Sequence, residues 1–376
     1  MLHPAVGRFF CILLRFEERI NFGMIKTTIL LGGGASAAEG APVQSMLFKK
    51  YFKELRDKNN YSDVKRVSEL CAYFKQIFFI DVLHDDLDTI NFPTFEEAIG
   101  LLDLAVRKRQ SFKDFDLENL AKGSNRIGFI RQYLVLLMAE VLEDKTSDVQ
   151  GLHRGLVDRL SELDCLTDMI FLSTNYDVLI DQALTSRDDI AVDYGIDFTN
   201  YISPVYLQQL NKPIVNLYKV HGSLNWSYCP TCNALKLINY QQGILRLLTD
   251  PSQALCATCQ SIKTPVIVPP TFFKDMSNSF LNIVWHKTEI SLRDTEHLIF
   301  CGYSFPDADM HIKYLIKRIQ TNRNDRLRIT VINNYPGKKQ EKIDEEKKRY
   351  SRFLGTNILF TNDTFEDFCK QPEKFL

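Results

Sequence analysis

The sequence predicts an α/β protein: an open parallel sheet, a helical insertion and a small zinc-ribbon module. Three observations lead there. Apolar runs of strand length end in glycine or polar residues, as buried parallel strands do when they carry ligand contacts at their carboxyl ends. The stretch 46–165 is nearly free of strand signals and repeats apolar residues at three- and four-residue spacing. Two C-x-x-C pairs stand between later strands.

The bulk composition narrows the classes. A chain of 376 residues with 45% hydrophobic and 25% charged residues is an ordinary globular chain, long enough for one large domain or two to three small ones. A net charge of −1 gives no reason to expect a nucleic-acid or membrane partner. No apolar run approaches the roughly 20 residues of a membrane span. Nine cysteines, four of them in C-x-x-C pairs, point to a metal in a reducing, cytoplasmic compartment rather than to a disulfide scaffold. Residues 1–23 hold a short apolar run crowded by Arg8, Arg15, Glu17, Glu18 and Arg19, which fails as a signal peptide. They are expected to be a loose or non-native extension ahead of Met24.

The first strand lies in residues 25–42. Ile25-Lys26-Thr27-Thr28-Ile29-Leu30-Leu31 runs into Gly32-Gly33-Gly34-Ala35-Ser36, and the helix this opens is followed by Gly40-Ala41-Pro42. Glycines without Cβ let a backbone turn tightly and press its N–H groups on a pyrophosphate, at the positive end of the following helix. The spacing is not G-x-G-x-x-G, so a plain strand-to-helix turn is the competing reading. The insertion follows, with helices expected over 46–56, 64–79, 95–110, 126–142 and 149–163. Thr94-Phe95-Glu96-Glu97 matches a capping box. Nothing in the insertion suggests chemistry; scaffold, lid or oligomer contact is its expected part.

Strand signals resume at Met169-Ile170-Phe171-Leu172, which ends in Ser173-Thr174-Asn175-Tyr176-Asp177. These polar residues either meet a ligand or cap the helix expected over 178–184. The strand at 214–220 ends in His221-Gly222-Ser223. A lone histidine is more often structural, but one at a strand end is placed to move a proton near neutral pH. Cys229-Pro230-Thr231-Cys232 and Cys256-Ala257-Thr258-Cys259 make a closed S4 set suited to structural Zn²⁺, with no open position for catalysis; a redox pair would need only one of them. Thr264-Pro265-Val266-Ile267-Val268-Pro269-Pro270 is expected to return the chain to the main domain. Strands follow at 297–301, ending in Gly302-Tyr303-Ser304-Phe305-Pro306-Asp307-Ala308-Asp309, at 327–332, ending in Asn333-Asn334, and at 357–360. A highly charged helix is expected over 338–352, most simply as a solvated surface face, and a short helix over 364–368.

These residues, in this order, resemble the sirtuin (silent information regulator) family of NAD-consuming enzymes over most of 25–370. The glycine stretch through Gly40-Ala41-Pro42 resembles the family's G-A-G-x-S-x-x-x-G-I-P loop, and Thr174-Asn175-Tyr176-Asp177 its T-Q-N-I-D. His221-Gly222 resembles the catalytic H-G, the cysteine pairs the zinc module, Gly302-Tyr303-Ser304 the G-T-S phosphate loop and Ile332-Asn333 the I-N pair at the adenosine ribose. Deacylating members carry Phe-Arg where Gln44-Ser45 stand, and G-E where Val266-Ile267-Val268 runs into Pro269-Pro270-Thr271. These departures resemble sirtuin-like domains of prokaryotic antiviral defence systems, which hydrolyse NAD.

The resemblance implies a Rossmann-like core with NAD as substrate and zinc as structural metal. It implies an NAD glycohydrolase releasing nicotinamide and ADP-ribose, acting as a homo-oligomer or beside a defence-system partner subunit. The implied catalytic residues are His221, Asn175 and Asp177. The implied NAD contacts are Gly33, Gly34, Ala35, Ser36, Thr174, Gly302, Tyr303, Ser304 and Asn333, and the zinc ligands are Cys229, Cys232, Cys256 and Cys259. The competing classes are an NAD-dependent lysine deacylase and a non-catalytic module sensing NAD or ADP-ribose. The expected organisation is an extension (1–23), core segments (24–45, 166–224 and 264–376), the helical insertion (46–165) and the zinc ribbon (225–263).

Overall fold

The computed structural model describes residues 27–58, 64–117, 125–146, 151–204, 211–238, 255–267, 278–307, 309–335 and 337–376. The expected extension and Pro269-Pro270-Thr271 lie outside the described residues. Strand β1 (Thr27–Leu31) is buried along its whole length, as its continuous apolar and β-branched run requires of a central parallel strand. It pairs in parallel with β2 (Met169–Ser173) on one side and β8 (His297–Cys301) on the other, Thr27 lying opposite both Met169 and His297. With β3 (Ala191–Asp193), β4 (Ile214–Lys219), β9 (Arg328–Ile332) and β10 (Leu359–Thr361), the sheet has seven strands in the order β10-β9-β8-β1-β2-β4-β3. The chain leaves β1 toward β2 and only later crosses to β8. The switch point of this Rossmann-like sheet, where such folds bind their ligands, is therefore above the carboxyl end of β1.

Helix α1 (Gly33–Ala38) leaves that end directly. The insertion supplies α2 (Gln44–Lys58), α3 (Val64–Ile77), α4 (Phe95–Lys108), α5 (Arg126–Thr146) and α6 (Leu152–Glu162), one for each expected helix. The capping box of α4 is formed: Glu97 N–H donates to Thr94 Oγ1 at 3.1 Å, and Thr94 N–H donates to Glu97 Oε2 at 2.7 Å. Helices α2 to α5 bury their own core around Phe48, Phe52, Phe74 and Phe95. That core also takes in Tyr176, Val178 and Leu224, so the insertion is seated on the loop after β2. Helix α6 instead buries Leu156, Val157 and Leu160 in the core of the sheet.

Helices α7 (Leu179–Thr185), α8 (Ser279–Arg293), α9 (Met310–Thr321), α10 (Gln340–Leu354) and α11 (Phe365–Lys370) complete the layers; β3, α8 and α9 have no counterpart in the sequence expectations. A second, antiparallel sheet has the order β6-β5-β7, with β5 (Gly222–Tyr228), β6 (Leu235–Leu237) and β7 (Thr264–Ile267). The stretch expected to return the chain to the main domain joins this second sheet and buries Val266 in the core of the first. Within the described residues, β7 pairs with β5 from Tyr228↔Thr264 to Gly222↔Ile267, because the two cysteine turns bring these strands side by side. No helix among the described residues is long and apolar enough to cross a membrane.

Candidate active site

The glycine turn is built by close backbone approach. Gly302 follows β8 at φ +61°, and a Cβ there would lie 2.1 Å from Ala35 N. A Cβ on Gly32 would meet Gly302 O at 2.7 Å, and one on Gly34 would meet Gly302 Cα at 2.8 Å. Only glycine fits at these three positions. The Gly34 N–H donates to Gly302 O at 2.7 Å and the Ala35 N–H to Gly32 O at 3.0 Å. Two of the amides expected to hold a pyrophosphate are thus committed inside the turn. Gly33 is exposed like Gly34 but differs in that nothing lies within 4 Å of an added Cβ.

The loop after β2 locks onto this turn. Thr174 N–H and Oγ1–H both donate to Leu31 O, at 3.1 and 3.2 Å. Half-buried Asn175 donates from Nδ2 to Gly32 O at 2.9 Å and to Ser36 Oγ at 2.8 Å, and Ser36 passes its own hydrogen to Asp177 Oδ2 at 2.7 Å. With both amide hydrogens committed, the Asn175 carbonyl oxygen is the end suited to receive a hydroxyl. Asp177 also accepts from Leu179 N–H at 3.2 Å, so the helix-capping reading holds beside the site reading. Beneath the loop, fully buried Lys219 donates to the Asp177 carbonyl and to Asp181 Oδ2 at 2.8 Å. A buried ammonium requires such partners.

His221 leaves β4 into the same cluster. Its Nδ1 lies 3.1 Å from the Thr174 carbonyl, which can only accept, so Nδ1 carries the hydrogen and Nε2 is the basic nitrogen. Gly222 follows at φ +82°, where a Cβ would lie 2.1 Å from Val266 O; this histidine can be followed only by glycine. Asp309 Oδ1 faces Nε2 at 3.6 Å, and Asp309 Oδ2 accepts from Tyr303 O–H at 2.7 Å. Burial, then the Asp309 charge, pushes the Tyr303 phenol well above its ordinary range and keeps it a donor. In the sequence, Asp309 is only the last residue of the stretch that follows β8, with no role expected of it.

At the far end, buried Asn333 donates to the Tyr303 carbonyl at 3.0 Å and to Glu346, which also accepts from Tyr335 O–H at 3.2 Å. Asn333 and Tyr303 brace the Gly302 loop from inside, while Ser304 is exposed beside it. Glu346, a buried carboxylate that α10 brings to Asn333 after β9, is a neighbour that the solvated-face reading of its charged helix missed.

The four cysteines converge. Cys229 Sγ lies 3.4 Å from Cys259 Sγ and Cys232 Sγ 3.5 Å from Cys256 Sγ, with all four sulfurs within 4.8 Å of one another. A tetrahedral zinc with about 2.3 Å bonds spaces its sulfurs about 3.8 Å apart. The two turns match bond for bond. Asn233 N–H returns to Cys229 O at 2.9 Å and Gln260 N–H to Cys256 O at 2.8 Å, with Asn233 and Gln260 at φ 58° and 61°. Backbone N–H groups of Cys259 and Thr258 pull the Cys256 thiol down to about 6, toward the thiolate that a metal requires. This cluster can hold a zinc ion.

Residues 169–354 match the family model of the SIR2-like domain. The matched span begins on β2 and contains Asn175, His221, both cysteine pairs, Gly302 and Asn333; the glycine turn precedes it. Among solved structures, the chain is similar to Sir2Tm bound to a propionylated peptide, at 12% identity over 96% of this chain and 97% of that one, with a TM-score of 0.40. It is similar to a Sir2–p53 peptide–NAD+ complex at 12% identity over 96% of both chains, TM-score 0.39. It is also similar to Sir2 with the inhibitor EX-527, 2'-O-acetyl-ADP-ribose and deacetylated p53 peptide, at 13% identity over 93% of both, TM-score 0.38. A search of curated proteins finds no match.

Proposed function

We propose that this chain, which carries a SIR2-like domain over residues 169–354, is an NAD+ glycohydrolase releasing nicotinamide and ADP-ribose. The observation that carries the reading is the meeting of Asn175 and His221. They come from different strand ends, yet the His221 imidazole bonds the carbonyl of Thr174, next to Asn175, whose own amide is locked to the glycine turn. Mere binding of a nucleotide needs neither an amide nor a base there.

The pyrophosphate lies over exposed Gly33 and the start of α1, with Ser36, Gly302 and Ser304 beside it, where the helix end favours negative charge. The bond between nicotinamide and ribose C1' breaks with its electron pair going to nicotinamide. Asp177 adds negative charge near the oxocarbenium-like ribose, and Asn175 holds a ribose hydroxyl or the attacking water. Water forms the new bond to C1', and its proton passes to His221 Nε2. The four-cysteine cluster takes no part in these steps. Gln44-Ser45 in place of Phe-Arg favours hydrolysis over peptide deacylation. The biological role that fits is an NAD-depleting effector of antiviral defence, held silent until an oligomer or partner engages it.

The test is nicotinamide release from NAD by the activated full chain, with and without an acetylated peptide. His221→Ala and Asn175→Ala are each expected to lower it by about 10²–10⁴-fold, the usual worth of acid–base groups. Fold and NAD affinity should hold within about tenfold, about 1.4 kcal/mol. Release that depends on the peptide establishes the deacylase instead. Peptide-independent release unchanged in His221→Ala refutes the mechanism.

A further inference from the structure

We propose that Asp309 acts through His221, its carboxylate standing beside Nε2 to stabilise the imidazolium formed there while Tyr303 fixes the carboxylate. The catalytic consequence rests on the reading of His221 as general base; the pairing itself does not.

Three contacts carry it. The Thr174 carbonyl at 3.1 Å leaves Nε2 as the basic nitrogen, and Asp309 Oδ1 stands 3.6 Å from that nitrogen. Both side chains are almost fully enclosed, at 2% and 4% exposure, so the charge is little screened by water. Tyr303, itself buried, donates to the other carboxylate oxygen at 2.7 Å. The backbone of Asp309 is pinned as well: its N–H donates to Pro306 O at 3.2 Å, and its carbonyl accepts from Lys313 N–H at 3.0 Å at the start of α9. A base that takes a proton from a hydroxyl becomes an imidazolium, and a fixed carboxylate beside it stabilises that product. The same carboxylate makes Nε2 a stronger base.

Other groups face this pair. Tyr176, from the loop after β2, has its ring centroid 6.4 Å from that of His221, and its phenol is held protonated by burial and then by the charges of Glu96, Asp309 and Asp103. Glu96 reaches the cluster from α4 and acts on Tyr303 too. Asp177 is engaged by Ser36, and Lys219 by Asp181 and the Asp177 carbonyl. These are common to wild type and variants, so a difference between them isolates Asp309.

The experiment is an NMR titration of ring-labelled histidines in the zinc-loaded full chain, with the His221 signal assigned by its loss in His221→Gln. Removing the carboxylate removes what favours the imidazolium, so in Asp309→Asn the His221 midpoint should fall by about one pH unit, tenfold in proton affinity. Tyr303→Phe, which loosens the carboxylate without deleting it, should give a smaller fall and serves alone if Asp309→Asn does not fold. In turnover, the acid limb of the kcat profile should move to lower pH and kcat should drop while KM for NAD stays within about threefold; Asp309→Glu should recover part of kcat. A His221 midpoint unchanged in the folded variants overturns the proposal. A shifted midpoint with NAD loss indifferent to His221→Ala leaves the pairing standing and overturns the hydrolase mechanism instead.

Discussion

The two ends of the candidate site are built by different means. At the glycine end, Gly32, Gly34 and Gly302 press backbone on backbone, and the selection is steric. At the histidine end, Asn175, Asp177, His221 and Asp309 are side chains held by hydrogen bonds and buried charge. A steric end has no partial states: an added atom either fits or moves the strands. An end made of side chains can lose its chemistry while the fold survives. The lesson is that NAD binding and NAD cleavage should fail separately.

The largest expected effect comes from the metal. Strand β5 starts one residue after His221 and reaches the first cysteine turn, and β7 returns from the second turn to Gly222. The cluster therefore clamps the far end of the ladder whose near end abuts the histidine. Structural zinc contributes roughly 10–16 kcal/mol in small zinc peptides. Cys256→Ser, or metal removal by a chelator, should unfold the β5-β6-β7 sheet and abolish nicotinamide release. The glycine end, in the other sheet, should keep measurable affinity for ADP-ribose. Metal analysis, circular dichroism and ADP-ribose calorimetry on the same sample test this; pure protein without zinc, or full activity in Cys256→Ser, contradicts it.

The next effect is steric and divides the glycines. Gly302→Ala adds an atom 2.1 Å from Ala35 N at a positive φ. Overpacking and left-handed strain cost roughly 1–3 kcal/mol each, a large share of the roughly 5–15 kcal/mol that holds a domain. Gly33→Ala meets nothing within 4 Å. It should melt within a few degrees of wild type and yet weaken NAD, because the proposed function puts the pyrophosphate over Gly33, where the added methyl would stand. Thermal melts and NAD titrations on the two variants decide. Equal melting temperatures would show that the turn relaxes and that the glycine end is not steric.

The same contrast explains what could be read in advance. Strand ends were legible because burial and polarity alternate over a few neighbouring residues: Met169–Ser173 and His297–Cys301 lie where their apolar runs stand. Asn175, His221 and the cysteines were legible because each sits in a short local pattern. Asp309 was not, because only the pairing of β8 beside β1 brings its loop toward the histidine. Strand β3 has three residues, too few for a period. Helix α9 hid because Lys313 lies within its buried face, its Nζ led out to Asp307 at 2.8 Å. The pairing of strand β7 with β5 was not legible, because a short apolar run does not say which neighbour it pairs with.

The smallest expected effect qualifies the contrast, since one titratable pair supports the glycine end from behind. Glu39, three residues beyond Ser36, is buried, and its Oε1 accepts from both the N–H and Nδ1 of His153, at 2.5 and 2.6 Å. Burial alone would raise this carboxyl, but the hydrogen bonds and charge of His153 outweigh it and leave Glu39 below its ordinary 4.5. A carboxyl lowered by folding contributes stability that is present above 4.5 and is lost as pH falls through the folded value. One proton is involved, so the slope is at most about 1.4 kcal/mol per pH unit. Glu39→Gln lacks the charge-assisted bonds, worth about 1.5–3 kcal/mol. It should melt lower than wild type at pH 7, and the gap should narrow as pH drops below 4.5. Melting curves of both proteins from pH 7 to pH 3 test this. A constant gap would mean that Glu39 supports the turn by shape alone, making the glycine end steric throughout.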